Sequence, residues 1–187
     1  YAAMQVRREE RVVRVRAAEQ VRVAVRQMVA EKLRFDEPLE EVGQQDGALR
    51  PGWRWSYLHG GNYYGVNGIG YRVFDTQGRP IPPQVCVDFV LDAYERASGT
   101  WYQSKDQPRQ RTVGHLDFDS YHLSNRRSAA ELIRWAVSQP TLFDVWQPHG
   151  RAEHPPYGAR AEFLTALKTN VERFHVGDIV IIVGLKA

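Results

Sequence analysis

Apolar side chains recur every three or four positions in the first 35 residues, and neither Gly nor Pro interrupts residues 2–35. This spacing predicts one long helix with an apolar stripe along one face. The stripe consists of Val6, Val13, Ala17, Val21, Ala24, Met28 and Phe35. Alternation at residues 13–16 and 21–26 would also fit two strands, but the residues between them include no turn former, so we favour the helix.

The pattern changes after this segment. Residues 36–52 are acidic and then interrupted by Gly and Pro, which predicts a linker. The globular domain is therefore expected over residues 53–187. In residues 53–71 several Trp and Tyr residues are interspersed with Gly, which is typical of a long loop over an aromatic core or of the wall of a substrate groove.

Helix and strand signals both occur in the predicted domain. Pro80, Pro82 and Pro83 lead into a predicted helix that starts near Gln84 and stops at Gly99. A capping box at residues 128–131 begins another helix, and a further one is expected over residues 159–174. Short strands are predicted at residues 113–118 and 179–183. This mixture predicts the α+β class.

Composition and charge exclude several functional classes. The chain has 187 residues and one Cys, which excludes a disulfide framework and zinc sites built from several thiolates. No apolar run reaches the roughly 18 residues of a membrane helix. Residues 1–35 hold nine Arg or Lys and four Glu, a net +5, whereas the remaining 152 hold sixteen basic and eighteen acidic residues, a net −2. The basic segment has no aromatic residues interleaved with its basic ones and no recognised binding motif, so we expect a protein partner there rather than nucleic acid.

Cys86 is the candidate nucleophile. In the first turn of a helix, unpaired backbone N–H groups and the helix dipole favour a thiolate. The same N–H groups could face the oxyanion of an acyl intermediate. The alternative is a cysteine that packs in the core, because the same helix also carries Phe89, Val90 and Ala93.

Two segments resemble papain-like cysteine hydrolases of the bacterial NlpC and CHAP type. They are PQVCVDFV at residues 83–90 and VGDIVII at residues 176–182, although Val87 and Asp88 replace the small residues that usually follow the Cys. The resemblance implies a central Cys-bearing helix packed on a small antiparallel sheet, with Cys86 as nucleophile. It also places the catalytic His on the strand after the Gly-Asp strand, so we expect the domain to be incomplete at its C-terminus.

The best base within the chain is His115. If residues 115–119 form a strand, His115, Asp117 and Asp119 share one face, and Asp117 could orient the His115 ring. Together with His122, these residues also form an N/O ligand set for a metal-dependent hydrolase. A hydrogen-bonded structural strand is the simpler alternative. His59 lies in the aromatic segment, and His149, His154 and His175 are expected in solvated loops.

We therefore expect a cysteine peptidase or amidase that cleaves an amide bond through a Cys86 acyl-enzyme, without a cofactor. The resemblance implies a cell-wall peptide as substrate and, if that holds, a periplasmic or extracellular location. One competing hypothesis is a non-catalytic binding or assembly module of the same fold. The other is the metal-dependent hydrolase centred on His115, Asp117 and Asp119.

Overall fold

The protein is a mixed α+β chain of helices and small two-stranded antiparallel sheets. The structure, a computed structural model, describes residues 2–36, 49–66, 69–121, 126–145, 159–171 and 177–181. The chain divides into two compact units, residues 1–132 and residues 133–187. The α+β class is thus confirmed at the level of its elements.

Five α-helices, four short strands and a 3-10 helix are assigned in the described residues. In chain order they are α1 (Ala2–Glu31), α2 (Leu49–Leu58), β1 (Tyr63–Val66), β2 (Ile69–Arg72), α3 (Cys86–Ala97), β3 (Trp101–Tyr102), β4 (Arg111–Thr112), the 3-10 helix (Phe118–Tyr121), α4 (Ala129–Ser138) and α5 (Arg160–Thr169). The β1–β2 hairpin pairs Tyr63 with Arg72, and the second sheet pairs Trp101 with Thr112.

The predicted N-terminal helix is confirmed, and it packs against the first unit through its C-terminal half. α1 contacts α3, and Ala24 and Met28 on its inner face are buried. Just beyond them, Glu31 forms a two-pronged ion pair with Arg96 of α3, with both N–O distances 2.8 Å. Val13, on the same predicted stripe, is 67% exposed. The helix is therefore part of the first unit at its C-terminal end.

The predicted linker is wrong at both of its ends. Asp36 is fully buried, and its carboxylate accepts hydrogen bonds from the backbone N–H groups of Leu49 and Arg50, both at 3.0 Å. These N–H groups begin α2, so Asp36 caps a helix thirteen residues further along the chain. Residues 37–48 lie outside the described part.

The aromatic segment forms a helix and a hairpin rather than a loop. Trp53 and Tyr57, one turn apart on α2, are fully buried and stack at 5.3 Å between ring centroids. Tyr102 of β3 meets Trp53 edge-on at 4.7 Å, and Phe74 completes the core on the Tyr57 side at 5.8 Å. The aromatic-core interpretation of this segment is thus confirmed.

The strand predicted at residues 113–118 does not form. Only Arg111–Thr112 is extended and paired, and the chain then turns around the C-terminal end of α3. The backbone N–H of His115 donates to the carbonyl of Ser98, and the N–H of Gly114 donates to the Thr100 hydroxyl. These contacts with the end of α3 replace the ladder that a strand would need.

Gly114→Ala is expected to destabilise the first unit by about 2 kcal/mol, as an overpacked site does. A Cβ at this position would lie 2.1 Å from the Ser98 carbonyl oxygen and 2.7 Å from the Gly99 carbonyl carbon, so backbone would have to move. Urea unfolding monitored by circular dichroism measures the loss. Gly70→Ala is the matched control, because a Cβ there meets nothing within 4 Å. Equal stability of the two variants would contradict the close approach.

Both later helices form where they were predicted, and α5 is shorter than expected. The Ser128 hydroxyl accepts the backbone N–H of Glu131, as the capping box predicts for the start of α4. α5 ends at Thr169, five residues before the predicted end. Residues 177–181 form no strand, so the predicted strand at 179–183 is absent over its described part. None of the described helices combines the length and the apolar character that a membrane crossing requires.

Candidate active site at Cys86

The predicted helix that carries Cys86 is confirmed, and its first residue is Cys86 itself. Val85 adopts an extended conformation at the N-cap, and Phe89 N–H makes the first helical hydrogen bond, to the Val85 carbonyl at 3.0 Å. The N–H groups of residues 86–88 therefore precede the helical ladder. At the other end, Gly99 adopts φ +90°, a left-handed conformation that favours Gly and stops the helix where predicted.

Cys86 is exposed, although the two residues on either side of it are buried. Its side chain opens into a shallow groove of about 290 Å³, which is lined by Leu33, Arg34, Phe35, Gln84, Val85, Cys86 and Phe89. This location overturns the alternative that Cys86 packs in the core. A thiol at a helix N-terminus, open to solvent and beside apolar walls, has the exposure that a nucleophile needs.

The segment that follows the end of α1 and the segment that leads into α3 run side by side at the groove. Gln84 N–H donates to the Arg34 carbonyl, and Asp36 N–H donates to the Gln84 carbonyl, each at 2.9 Å. Phe35 and Gln84 thereby form a parallel bridge. Because this pairing holds the backbone on both sides of the groove, the groove is built into the fold of the first unit.

Asp88 and Arg127 fix the start of α3 from beneath. The Asp88 carboxylate accepts the Val85 N–H at 3.1 Å and the Arg127 guanidinium at 2.8 and 2.6 Å. Arg127 also binds Asp36, the residue that caps α2. One arginine thus connects the N-terminus of the Cys86 helix with the N-terminus of α2.

Asp88 is the first of three buried carboxylates on one face of α3. Asp92 and Glu95 follow it at helical spacing, and each is at most 1% exposed. Arginines from three other parts of the chain neutralise them. Arg50 donates two hydrogen bonds of 2.8 Å to Asp92. Arg111 lies 2.8 Å from Glu95. Arg126 contacts both Asp92 and Glu95. The polar strip of this helix is therefore an internal ion network.

The two inner acids respond in opposite ways to this environment. Burial would raise the pKa of Asp92, but Arg50 and then Arg126 outweigh it and hold that pKa below its ordinary value. Burial dominates at Glu95 and raises its pKa, although Arg126 and Arg111 act against the shift. Asp92 is the firmly ionised member of the network.

His115 does not pair with Cys86. Its backbone is bonded to Ser98, the C-cap of α3, whereas Cys86 is the first residue of the same helix. Twelve residues separate these two positions, which places them about 18 Å apart along the axis. The hypothesis of an internal nucleophile and base, Cys86 and His115, is therefore wrong.

The metal site predicted around His115 does not form in the described residues, because its two acids pair with arginines. Asp117 binds Arg111 and does not orient His115, and Asp119 contacts Arg54, Arg111 and Arg126. Because the expected strand is absent, alternation no longer places the three side chains on one face. His122 lies outside the described residues. Within the described ranges, no three His, Cys, Asp or Glu side chains come together as a metal site.

The remaining described histidine, His59, follows the end of α2 and is exposed. Its ring stacks on Trp55 at 4.4 Å, and its Nδ1 lies 2.8 Å from the Trp55 carbonyl oxygen, to which it donates. His149, His154 and His175 lie outside the described residues. Neither described histidine has a contact with Cys86.

Sequence reasoning missed Arg34, Phe35 and the Asp36–Arg127 link. The first two were assigned to the end of the N-terminal helix, but that helix stops at Glu31 and Lys32 adopts φ +50°. This break turns residues 33–36 into the groove wall. The available signal was the change from Ala-rich to bulky residues after Ala30, which we interpreted as continuous helix.

The comparisons with known proteins leave the local resemblance as the starting point for function. No protein-family model matches the chain, and neither a curated protein nor a solved structure is significantly similar to it.

Proposed function

We propose that the protein is a cysteine hydrolase that cleaves an amide bond through an acyl-enzyme on Cys86. The observation that carries the proposal is the exposure of this thiol at the first residue of α3, in a groove with apolar walls. An exposed thiol at a helix N-terminus is in one of the environments in which cysteine nucleophiles occur.

The reaction follows from these positions. The Cys86 sulfur attacks the carbonyl carbon, an S–C bond forms, and the N–H groups of the first turn of α3 face the negative oxygen. The C–N bond then breaks and the amine leaves with a proton. Water attacks the thioester, which releases the acid and restores the thiol.

A proton acceptor must lie beside the sulfur, and neither His59 nor His115 fills that role. In the enzymes that the chain resembles, a histidine on the strand after the Gly-Asp strand does so. The proposal therefore assigns the base to a residue other than these two. A cell-wall peptide is the substrate that the resemblance implies, with a periplasmic or extracellular location as its consequence.

Cys86→Ser is expected to lower hydrolysis of cell-wall peptides by at least about a thousandfold, because loss of a covalent nucleophile has effects of that order. Release of new amino groups from purified muropeptides measures the activity. An unchanged melting curve is expected, since Cys86 is exposed. Undiminished hydrolysis by Cys86→Ser would contradict the proposal.

The competing hypothesis is a binding or assembly module in which Cys86 has no chemical role. His115→Ala is the control for the loss of hydrolysis in Cys86→Ser, because His115 is exposed and far from the groove. We expect His115→Ala to keep full activity. If the wild type binds cell-wall peptides without cleaving them, the binding module replaces the hydrolase.

A further inference from the structure

We propose that the groove beside Cys86 binds a substrate that carries a carboxylate next to an apolar group, and that Arg34 recognises the carboxylate. This inference rests on the proposed hydrolase function and narrows its substrate class. The occupant follows from charge complementarity. Arg34 is the one charged side chain among the residues that line the groove, and the other walls are mostly apolar.

The groove has an apolar floor open to solvent. Leu33, Val85 and Phe89 line it together with Phe35, whose side chain is 57% exposed. An exposed phenylalanine beside an exposed thiol is apolar surface that a ligand can cover. The volume of the groove, about 290 Å³, is at the lower end of the range for small-molecule sites and suits one amino-acid residue.

Arg34 is held in place by an aromatic ring instead of a carboxylate. Its guanidinium carbon lies 4.4 Å from the centroid of the Tyr71 ring, and its backbone carbonyl is fixed by Gln84. Such stacking uses the face of the guanidinium and leaves the N–H groups at its edge available. No ion pair is assigned to Arg34 among the described side chains.

Among the described residues, the nearby acids do not compensate this charge. Asp36, two residues away, is fully buried and is shared between Arg127 and the N-terminus of α2. Burial raises the pKa of Tyr64 to about 12 despite the opposing effect of Arg34, so this phenol is neutral at physiological pH. By contrast, Arg50, Arg96, Arg111, Arg126 and Arg127 are each paired with an acid.

A carboxylate is the ligand group that best complements the Arg34 guanidinium. The planar guanidinium presents two parallel N–H groups that match the two oxygens of a carboxylate, and the apolar walls beside it match an apolar neighbour of that carboxylate. The groove therefore selects an acidic peptide or acyl group, with its carboxylate at Arg34 and its apolar part against Phe35 and Phe89. The scissile carbonyl then lies toward Cys86.

The lone cysteine makes the test independent of hydrolysis. Iodoacetate and iodoacetamide deliver the same carbon to the Cys86 sulfur and displace iodide, but only iodoacetate carries a carboxylate. We expect Arg34→Gln to lower the ratio of the two alkylation rates, iodoacetate over iodoacetamide, about fivefold. The iodoacetamide rate should stay within about twofold, because Arg34 acts on charge.

Two variants control the interpretation. Lys32→Gln removes a positive charge two residues away but outside the groove, and we expect the ratio to change by less than about twofold. Arg34→Lys keeps the charge without the two-pronged geometry and should restore part of the ratio. A ratio that is unchanged in Arg34→Gln, or that falls equally in Lys32→Gln, would overturn the inference.

A matched ligand pair, identical in its apolar part, tests recognition of the carboxylate by a second readout. N-acetylleucine should protect Cys86 from iodoacetamide better than N-acetylleucinamide does in the wild type, and this difference should disappear in Arg34→Gln. Equal protection by both in the wild type would count against a carboxylate site. If the wild type has no amidase activity but Arg34→Gln still lowers the ratio of alkylation rates, the hydrolase is refuted and the anion site stands. If the wild type is an active amidase but Arg34→Gln leaves that ratio unchanged, the anion site alone is refuted.

Discussion

Deletion of residues 1–35 is expected to abolish the cooperative unfolding of the first unit. The deletion removes the buried side chains of Ala24 and Met28 and leaves the buried Arg96 without Glu31. Loss of a buried methionine costs roughly 2–5 kcal/mol, and an orphaned buried charge roughly 3–5 kcal/mol. Together these losses approach the roughly 5–15 kcal/mol that stabilises an ordinary domain.

Shorter changes identify which part of the helix matters. Deletion of residues 1–16 should preserve the melt, because the described side chains in that stretch are exposed. Met28→Ala should cost about 3 kcal/mol in urea unfolding, whereas Val29→Ala, at a position 63% exposed, should cost less than about 0.5 kcal/mol. A cooperative transition of unchanged midpoint after deletion of residues 1–35 would show that the helix is only an appendage.

Arg50→Met is expected to destabilise the protein by about 3–5 kcal/mol at neutral pH. The variant leaves the fully buried Asp92 with Arg126 at 3.2 Å and Gln84 as its remaining polar partners. Breaking this buried pair removes the two-pronged cation from a charge that has no access to water, and the single contact with Arg126 does not replace it. Arg79→Met is the control, because Arg79 is 48% exposed in its 2.7 Å pair with Asp75 and should cost less than about 1 kcal/mol.

The pH dependence distinguishes lost charge from lost packing. The lowered pKa of Asp92 means that its contribution to wild-type stability is present above the ordinary Asp value, about 3.9, and is lost as the pH falls through the lower folded value. Arg50→Met lacks this contribution, so its deficit should shrink as the pH falls below about 4. A deficit that stays constant from pH 7 to pH 3 would assign it to packing.

A second substitution keeps the ion-pair prediction testable if Arg50→Met does not fold. The double variant Arg50→Met, Asp92→Leu removes both charges, so we expect it to recover much of the lost stability. A double variant less stable than Arg50→Met would contradict the account of Asp92 as a buried charge that needs Arg50.

Local signals predicted the elements whose boundaries are encoded nearby. Spacing of apolar residues predicted α1, three prolines and Gly99 bracketed the Cys86 helix, and Ser128 marked the start of α4. Each of these signals acts within one or two turns of the backbone. The position of Cys86 in the first turn of α3 was predicted from these signals, and it made Cys86 the candidate nucleophile.

Long-range partners explain what the sequence did not predict. The α2 helix begins where Asp36 caps it across thirteen residues, so its first turn was interpreted as linker. The acids of α3 are buried because arginines at positions 50, 111, 126 and 127 reach them from distant parts of the chain. Likewise, residues 113–118 alternate as a strand does, but the end of α3 supplies their partners.

Trapping the acyl-enzyme tests the central claim most directly. The wild-type chain is mixed with an activated ester of an acidic peptide, quenched in acid within seconds and mapped by mass spectrometry. We predict one acyl group per chain on the peptide that contains Cys86, which disappears on longer incubation and is absent after prior alkylation with iodoacetamide. Turnover that proceeds without an adduct on Cys86 and survives alkylation would contradict the account.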